Sequence, residues 1–135
     1  MRLTTTILIV DAEPDVREVL EEYLCAHGYA TIGAANAAAA TAMVDLHSID
    51  LALVDVHMLS ADGLKFARHL RQRHPKIALV VLTSAAVAFD RIVGVALGAA
   101  DYVHKPLDPP KMLVRIADAL RRAASTDDPT CEIDG

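Results

Sequence analysis

At four places along the chain a residue able to do chemistry directly follows an apolar run. Asp11 follows "ILIV" and Asp55 follows "LALV"; Thr83 and Ser84 follow "VVL", and Lys105, with Pro106 behind it, follows "YVH". Two carboxylates held side by side repel each other and resist desolvation, so Asp11 and Asp55 can share a site only if Lys105 or a bound divalent cation neutralises them. Oxygen ligands of this kind suit a hard ion such as Mg2+. The first acid has company in Glu13 and Asp15, but Ala12 stands between Asp11 and Glu13, and its methyl group ligates nothing. Other chemistries of α/β proteins lack their marks: the chain has no G-x-G-x-x-G, no G-x-x-x-x-G-K-[ST] and no G-x-S-x-G.

The elements that must position these residues are legible from periodicity. Apolar runs at 7–10, 29–33, 51–54, 77–82 and 102–104 read as five short strands. The segments between them carry helical spacing: Val16, Val19, Leu20, Tyr23 and Leu24; then "AAAATAMVDL" after Asn36; then Leu64, Ala67, Arg68 and Leu70. Asn36 is placed to cap the second helix, Gly28 and Gly98 fall where helix ends need positive φ, and Pro75 stops the third helix. In the last helix Asp108 caps, Pro109 occupies the first turn, and Met112, Leu113, Ile116, Ala117 and Leu120 line one face. Strict alternation with strands apolar on both faces predicts a doubly wound α/β fold, a five-stranded parallel sheet with five helices. Binding residues in such sheets gather beyond the carboxyl ends of the strands, where all the residues named above arrive.

The chain has 135 residues, is 53% hydrophobic and carries a net charge of -5. One domain over 1–124 is expected, followed by an acidic tail or linker stub over 125–135. The negative charge disfavours direct nucleic-acid binding, and no apolar stretch has the ~20 residues of a membrane span. Cys25 and Cys131 form no C-x-x-C, and the opening residues lack a signal-peptide layout, so a cytoplasmic location is expected. Arg68, Arg71, Arg73 and Lys76 read as the wet face and end of the third helix. His27, His47, His69, His74 and His104 show no ligand spacing and are assigned surface or helix-end roles.

Taken together, "ILIVDAEPDVREVLEEYL", "LALVDVHMLSADGL" with its Gly63, "VVLTS" and "GAADYVHKPL" resemble, in order and spacing, the receiver domain of two-component response regulators, over about residues 5–124. The resemblance implies the flavodoxin-like receiver fold, with Asp55 as phosphoacceptor, Thr83 as the hydroxyl that contacts the phosphoryl group and Lys105 as its cationic partner. Mg2+ would be held by Asp11, Asp55 and the backbone carbonyl of His57. Thr83 and Tyr102 would form the switch, and the Lys105–Pro106 peptide would be cis. It further implies a histidine kinase or phosphotransfer protein as donor. The output surface would be the face of the fourth helix, fifth strand and fifth helix, turned toward an effector domain or protein. A homodimer through Asp101 and Arg115 on that face is a further possibility. Such a domain is not an enzyme in the usual sense.

Three positions depart from the family pattern. Ala12 replaces the second of two adjacent acids, so Mg2+ binding is expected to be weak and phosphorylation slow. Leu59 stands where proline is usual, which predicts a more mobile loop over "HMLSADG", and Leu107 replaces a common phenylalanine. Two competing readings follow. Ala12 supports a degenerate receiver serving as a phosphorylation-independent interaction or dimerisation module, against which Asp55, Thr83 and Lys105 all speak. A small hydrolase with an aspartate nucleophile would need a second Asp where this chain has His57.

Overall fold

The structure is a computed structural model that describes residues 4–55, 61–83, 101–104 and 108–126. In chain order the elements are β1 (Thr6–Val10), α1 (Pro14–Ala26), β2 (Ala30–Ala34), α2 (Ala37–Leu46), β3 (Leu51–Asp55), α3 (Ala61–Arg73), β4 (Ala78–Thr83), β5 (Asp101–His104) and α4 (Pro109–Thr126). The five strands form one sheet in the order β2-β1-β3-β4-β5, and every pairing is parallel. The helix expected between the fourth and fifth strands lies outside the described residues. So do His57, Leu59, Ser84, Gly98, Lys105, Pro106, Leu107 and Cys131.

Strand alternation sorts the core into two layers. Leu8, Val10, Ala52, Val54, Leu79 and Val81 point to one face, where Ala40 and Val44 of α2 and Phe66, Ala67 and Leu70 of α3 close over them. Ile7, Ile9, Leu51, Leu53, Val80 and Leu82 point to the other, against Leu20 and Leu24 of α1 and Met112, Ile116 and Ala119 of α4. A sheet covered on both faces needs apolar residues at successive positions, which explains the unbroken runs in β1, β3 and β4.

Local signals place the helix ends. The Asn36 side chain accepts from the Ala39 N–H at 2.8 Å, and Asp108 accepts from the Lys111 N–H at 3.3 Å. Gly28 closes α1 with φ of 92°, where a side chain would be strained. Pro14 and Pro109 occupy first turns, where a missing N–H has no consequence.

The structure corrects several expectations. Val19 is 63% exposed. At about 100° per residue it falls well away from the arc centred on Leu20 and Leu24, so α1 buries a narrower stripe than its apolar spacing suggests. In α4 Ala117 is exposed and Ala119 is buried, because the buried line runs through Met112, Ile116 and Ala119. Phe66, outside the stripe expected for α3, belongs to its core, while Arg68 is exposed as its place on the wet face predicts. Helix α3 begins at Ala61, so the last part of "HMLSADG" is helical rather than loop, and α4 runs past residue 124 to Thr126.

Candidate functional site

The chain leaves β1 for β2 on one side and reaches β3 on the other, so the strand order reverses between β1 and β3. In doubly wound sheets ligands bind outside the carboxyl ends of the strands at such a switch point. The register brings the two acids there. Val10 pairs with Val54, so Asp11 and Asp55 are the next residues on neighbouring parallel strands. Asp55 pairs in turn with Leu82, which puts Thr83 one residue beyond on β4, and Thr83 pairs with His104, the last residue before Lys105. By backbone place, then, Asp11, Asp55, Thr83 and the residue preceding Lys105 share one edge. Tyr102 lies within β5, paired with Val81.

Asp11 and Asp55 are the buried polar residues of the described core, 1% and 7% exposed. A buried carboxylate is costly unless hydrogen bonds or cations attend it. Asp11 is held on both sides of its backbone: its N–H donates to the Ala34 carbonyl at 3.1 Å, and its carbonyl accepts from the Arg17 guanidinium at 2.7 Å. One oxygen of its carboxylate accepts from the Glu13 N–H at 2.9 Å, a short turn that also starts α1. Asp11 therefore serves the helix start and still presents its carboxylate at the switch point. Ala12 and Glu13 are exposed, and Asp15 belongs to the first turn of α1, where an acid favours the helix dipole. Two buried carboxylates at adjoining strand ends form an oxygen donor set that fits a hard dication. The methyl group of Ala12 adds no ligand.

A second polar cluster was not legible in the sequence. Asp45 near the end of α2 accepts from His69 of α3 and from His74 just after α3, with one carboxylate oxygen 2.8 Å from each Nε2. The two hydrogen bonds hold the Asp45 carboxyl below the usual aspartate range, that to His74 having the larger effect. His69 and His74 therefore meet at one acid instead of having separate surface roles. His27 and His47 are at helix ends as expected. Arg71 also departs from the wet face assigned to it. Its guanidinium turns back onto the Ile77 carbonyl, and burial lowers its pKa.

Comparison with known proteins agrees with this geometry. Residues 7–117 match the family model of the response regulator receiver domain, and the chain belongs to that family. It is 35% identical over 127 residues to the transcriptional regulatory protein AruR of Pseudomonas aeruginosa, covering 90% of this chain and 52% of AruR. It is 33% identical over 127 residues to the response regulator GtcR of Aneurinibacillus migulanus, covering 94% of this chain and 52% of GtcR. The chain thus spans about half the length of the curated relatives it matches. A CheY-like receiver domain protein of Methanospirillum hungatei superposes with a TM-score of 0.84 at 24% identity, covering 91% of this chain and 98% of that one. NtrX of Brucella abortus gives 0.85 at 23% identity, over 95% of this chain and 29% of NtrX. These likenesses establish the receiver fold, and the homologues are response regulators of two-component systems. Among the described residues no helix is long and apolar enough to cross a membrane.

Proposed function

We propose that this receiver accepts a phosphoryl group on Asp55 from a phosphohistidine of a histidine kinase or phosphotransfer protein. The observation that carries this reading is the burial of Asp11 and Asp55 on adjoining strand ends at the switch point. In the transfer a carboxylate oxygen of Asp55 bonds to phosphorus and the phosphorus–nitrogen bond of the donor breaks. The leaving imidazole keeps the bonding pair and takes up a proton. Asp11, Asp55 and the His57 carbonyl are the groups that would hold Mg2+, which when bound neutralises charge between the approaching oxygens. Thr83 and Lys105 would receive the new phosphoryl oxygens through a hydroxyl and an ammonium. Movement at Thr83 would let Tyr102 turn inward and remodel the face that includes β5 and α4. The partner at that face is an effector domain or protein, a reading supported by relatives that are transcriptional regulators about half covered by this chain.

Ala12 weakens the metal site, because losing even an outer-sphere group typically costs about 10 to 100-fold in affinity or activity. A degenerate receiver that works without phosphorylation is the second reading, and Ala12 is the observation that favours it. Incubation with acetyl phosphate and Mg2+, followed by intact mass, separates the two. A gain of one phosphoryl group that vanishes in Asp55→Asn supports transfer, and an unchanged mass at saturating Mg2+ supports the degenerate module.

A further inference from the structure

The Asp45, His69 and His74 cluster lies on the opposite edge of the sheet from the acids. Helices in this fold run antiparallel to the strands they follow. The last turn of α2 and the end of α3 are therefore at the edge where the strands begin. One carboxylate oxygen and one nitrogen from each ring all lie within 4.8 Å of one another. The ring centroids are 5.7 Å apart and tilted by 56°, so the imidazoles converge on Asp45 instead of stacking on each other.

We infer that Asp45, His69 and His74 form a binding site for a borderline divalent transition-metal ion of the Zn2+ type, one that clasps α2 to α3. Two imidazoles and a carboxylate are a donor set that such ions take, with a fourth position left to water. Bonds of about 2.0–2.2 Å at tetrahedral angles separate ligand atoms by roughly 3.4 Å. To admit the ion, the two 2.8 Å hydrogen bonds open by about half an ångström, and the two imidazole nitrogens, within 4.8 Å of each other, settle near the same roughly 3.4 Å spacing. One carboxylate oxygen already meets both rings.

The surrounding structure limits how far the ligands move. The His74 N–H donates to the Leu70 carbonyl at 2.8 Å, and the His74 carbonyl accepts from the Ile77 N–H at 3.1 Å. Arg71 closes the same turn on the Ile77 carbonyl. Leu70, one residue after His69, is fully buried against the sheet, and so is Val44, one residue before Asp45. Both helices approach the site by their C-terminal ends, where the helix dipole favours a cation. Arg73 and Lys76 line the adjoining cavity and oppose it, but both are exposed, so solvent screens them. The donors are two nitrogens and one oxygen, against the all-oxygen set of Asp11 and Asp55, so the two sites select different ions.

The test titrates Zn2+ into the full chain, freed of any affinity tag and stripped with chelator, in excess Mg2+ at neutral pH. Calorimetry gives affinity, and long-range 1H–15N spectra report the imidazole nitrogens. The expected result is one Zn2+ per chain, with the His69 and His74 Nε2 signals moved and those of His27 unmoved. Asp45→Asn and a His69→Gln, His74→Gln double variant should each weaken binding at least about tenfold, and should abolish the rise in Tm that Zn2+ causes. Asp55→Asn should change neither. The three substituted side chains are partly or largely exposed, and circular dichroism verifies that the variants fold. Unchanged Zn2+ affinity in the folded double variant would overturn the proposal, as would signal shifts confined to other histidines.

Discussion

Asp11 and Asp55, at the edge where the strands end, are 1% and 7% exposed, whereas Asp45 at the opposite edge has a side chain 47% exposed and hydrogen-bonds two histidines whose side chains are 25% and 26% exposed. The first pair is built by the sheet itself: parallel register delivers one acid from each of two neighbouring strands into a desolvated crevice. The second is built by the packing of two helices over that sheet. In the crevice little water screens the carboxylates, so any charge brought beside them would act on them strongly. At the helix ends water damps every charge, and the ion pairs there contribute little to stability. What that cluster offers a ligand is geometry. Burial makes one site responsive to charge, and convergence makes the other selective for donor type.

The sharpest way to break this contrast is to exchange the roles of the acids. Asp55→Asn should abolish acetyl phosphate labelling in intact-mass measurements, while Asp45→Asn should be labelled like the parent chain. Equal loss in both would dissolve the distinction. Next in size, Ala12→Asp should tighten Mg2+ at the buried edge at least about tenfold. Metal titration followed by amide shifts at Asp11 reads this directly, and the Asp45 cluster should not respond.

Smaller effects probe how each cluster is held. Asn36→Ala removes the cap of α2, the helix that carries Asp45, and should lower stability by about 1 kcal/mol in urea unfolding. It should broaden signals at Asp45 and leave those at Asp55 sharp. The smallest effect concerns pH. The Asp45 carboxyl is held low by its hydrogen bonds to His74 and then His69. Its folded pKa is below its unfolded value, so its contribution is present above the ordinary aspartate pKa and fades as pH falls through the lowered one. Asp45→Asn should flatten that acid-side decline: the variant should be slightly less stable than the parent above the ordinary aspartate pKa, and the two profiles should converge as pH falls.

Much of the architecture could be read from neighbours in sequence. The strand runs were located to within a residue or so at each end, because a sheet covered on both faces demands unbroken apolar stretches. The Asn36, Gly28 and Asp108 helix ends were legible because caps act over a few residues. Amphipathic detail was less secure. Val19 and Ala117 are apolar but point outward, since a small or β-branched residue can occupy a helix without being needed by the core. Arg71 was hidden for the opposite reason: its basic head reads as wet, yet its stem is long enough to reach back to a buried carbonyl.

By itself the sequence determined the alternation of strand and helix and the arrival of Asp11, Asp55, Thr83 and Lys105 after apolar runs, because periodicity and turn chemistry operate within a few residues. Tertiary structure alone decided which helix faces which. Asp45 meets His69 and His74 across separations of 24 and 29 residues. No local spacing encodes such a meeting, because it depends on two helices lying side by side over a sheet that brings them together only once folded.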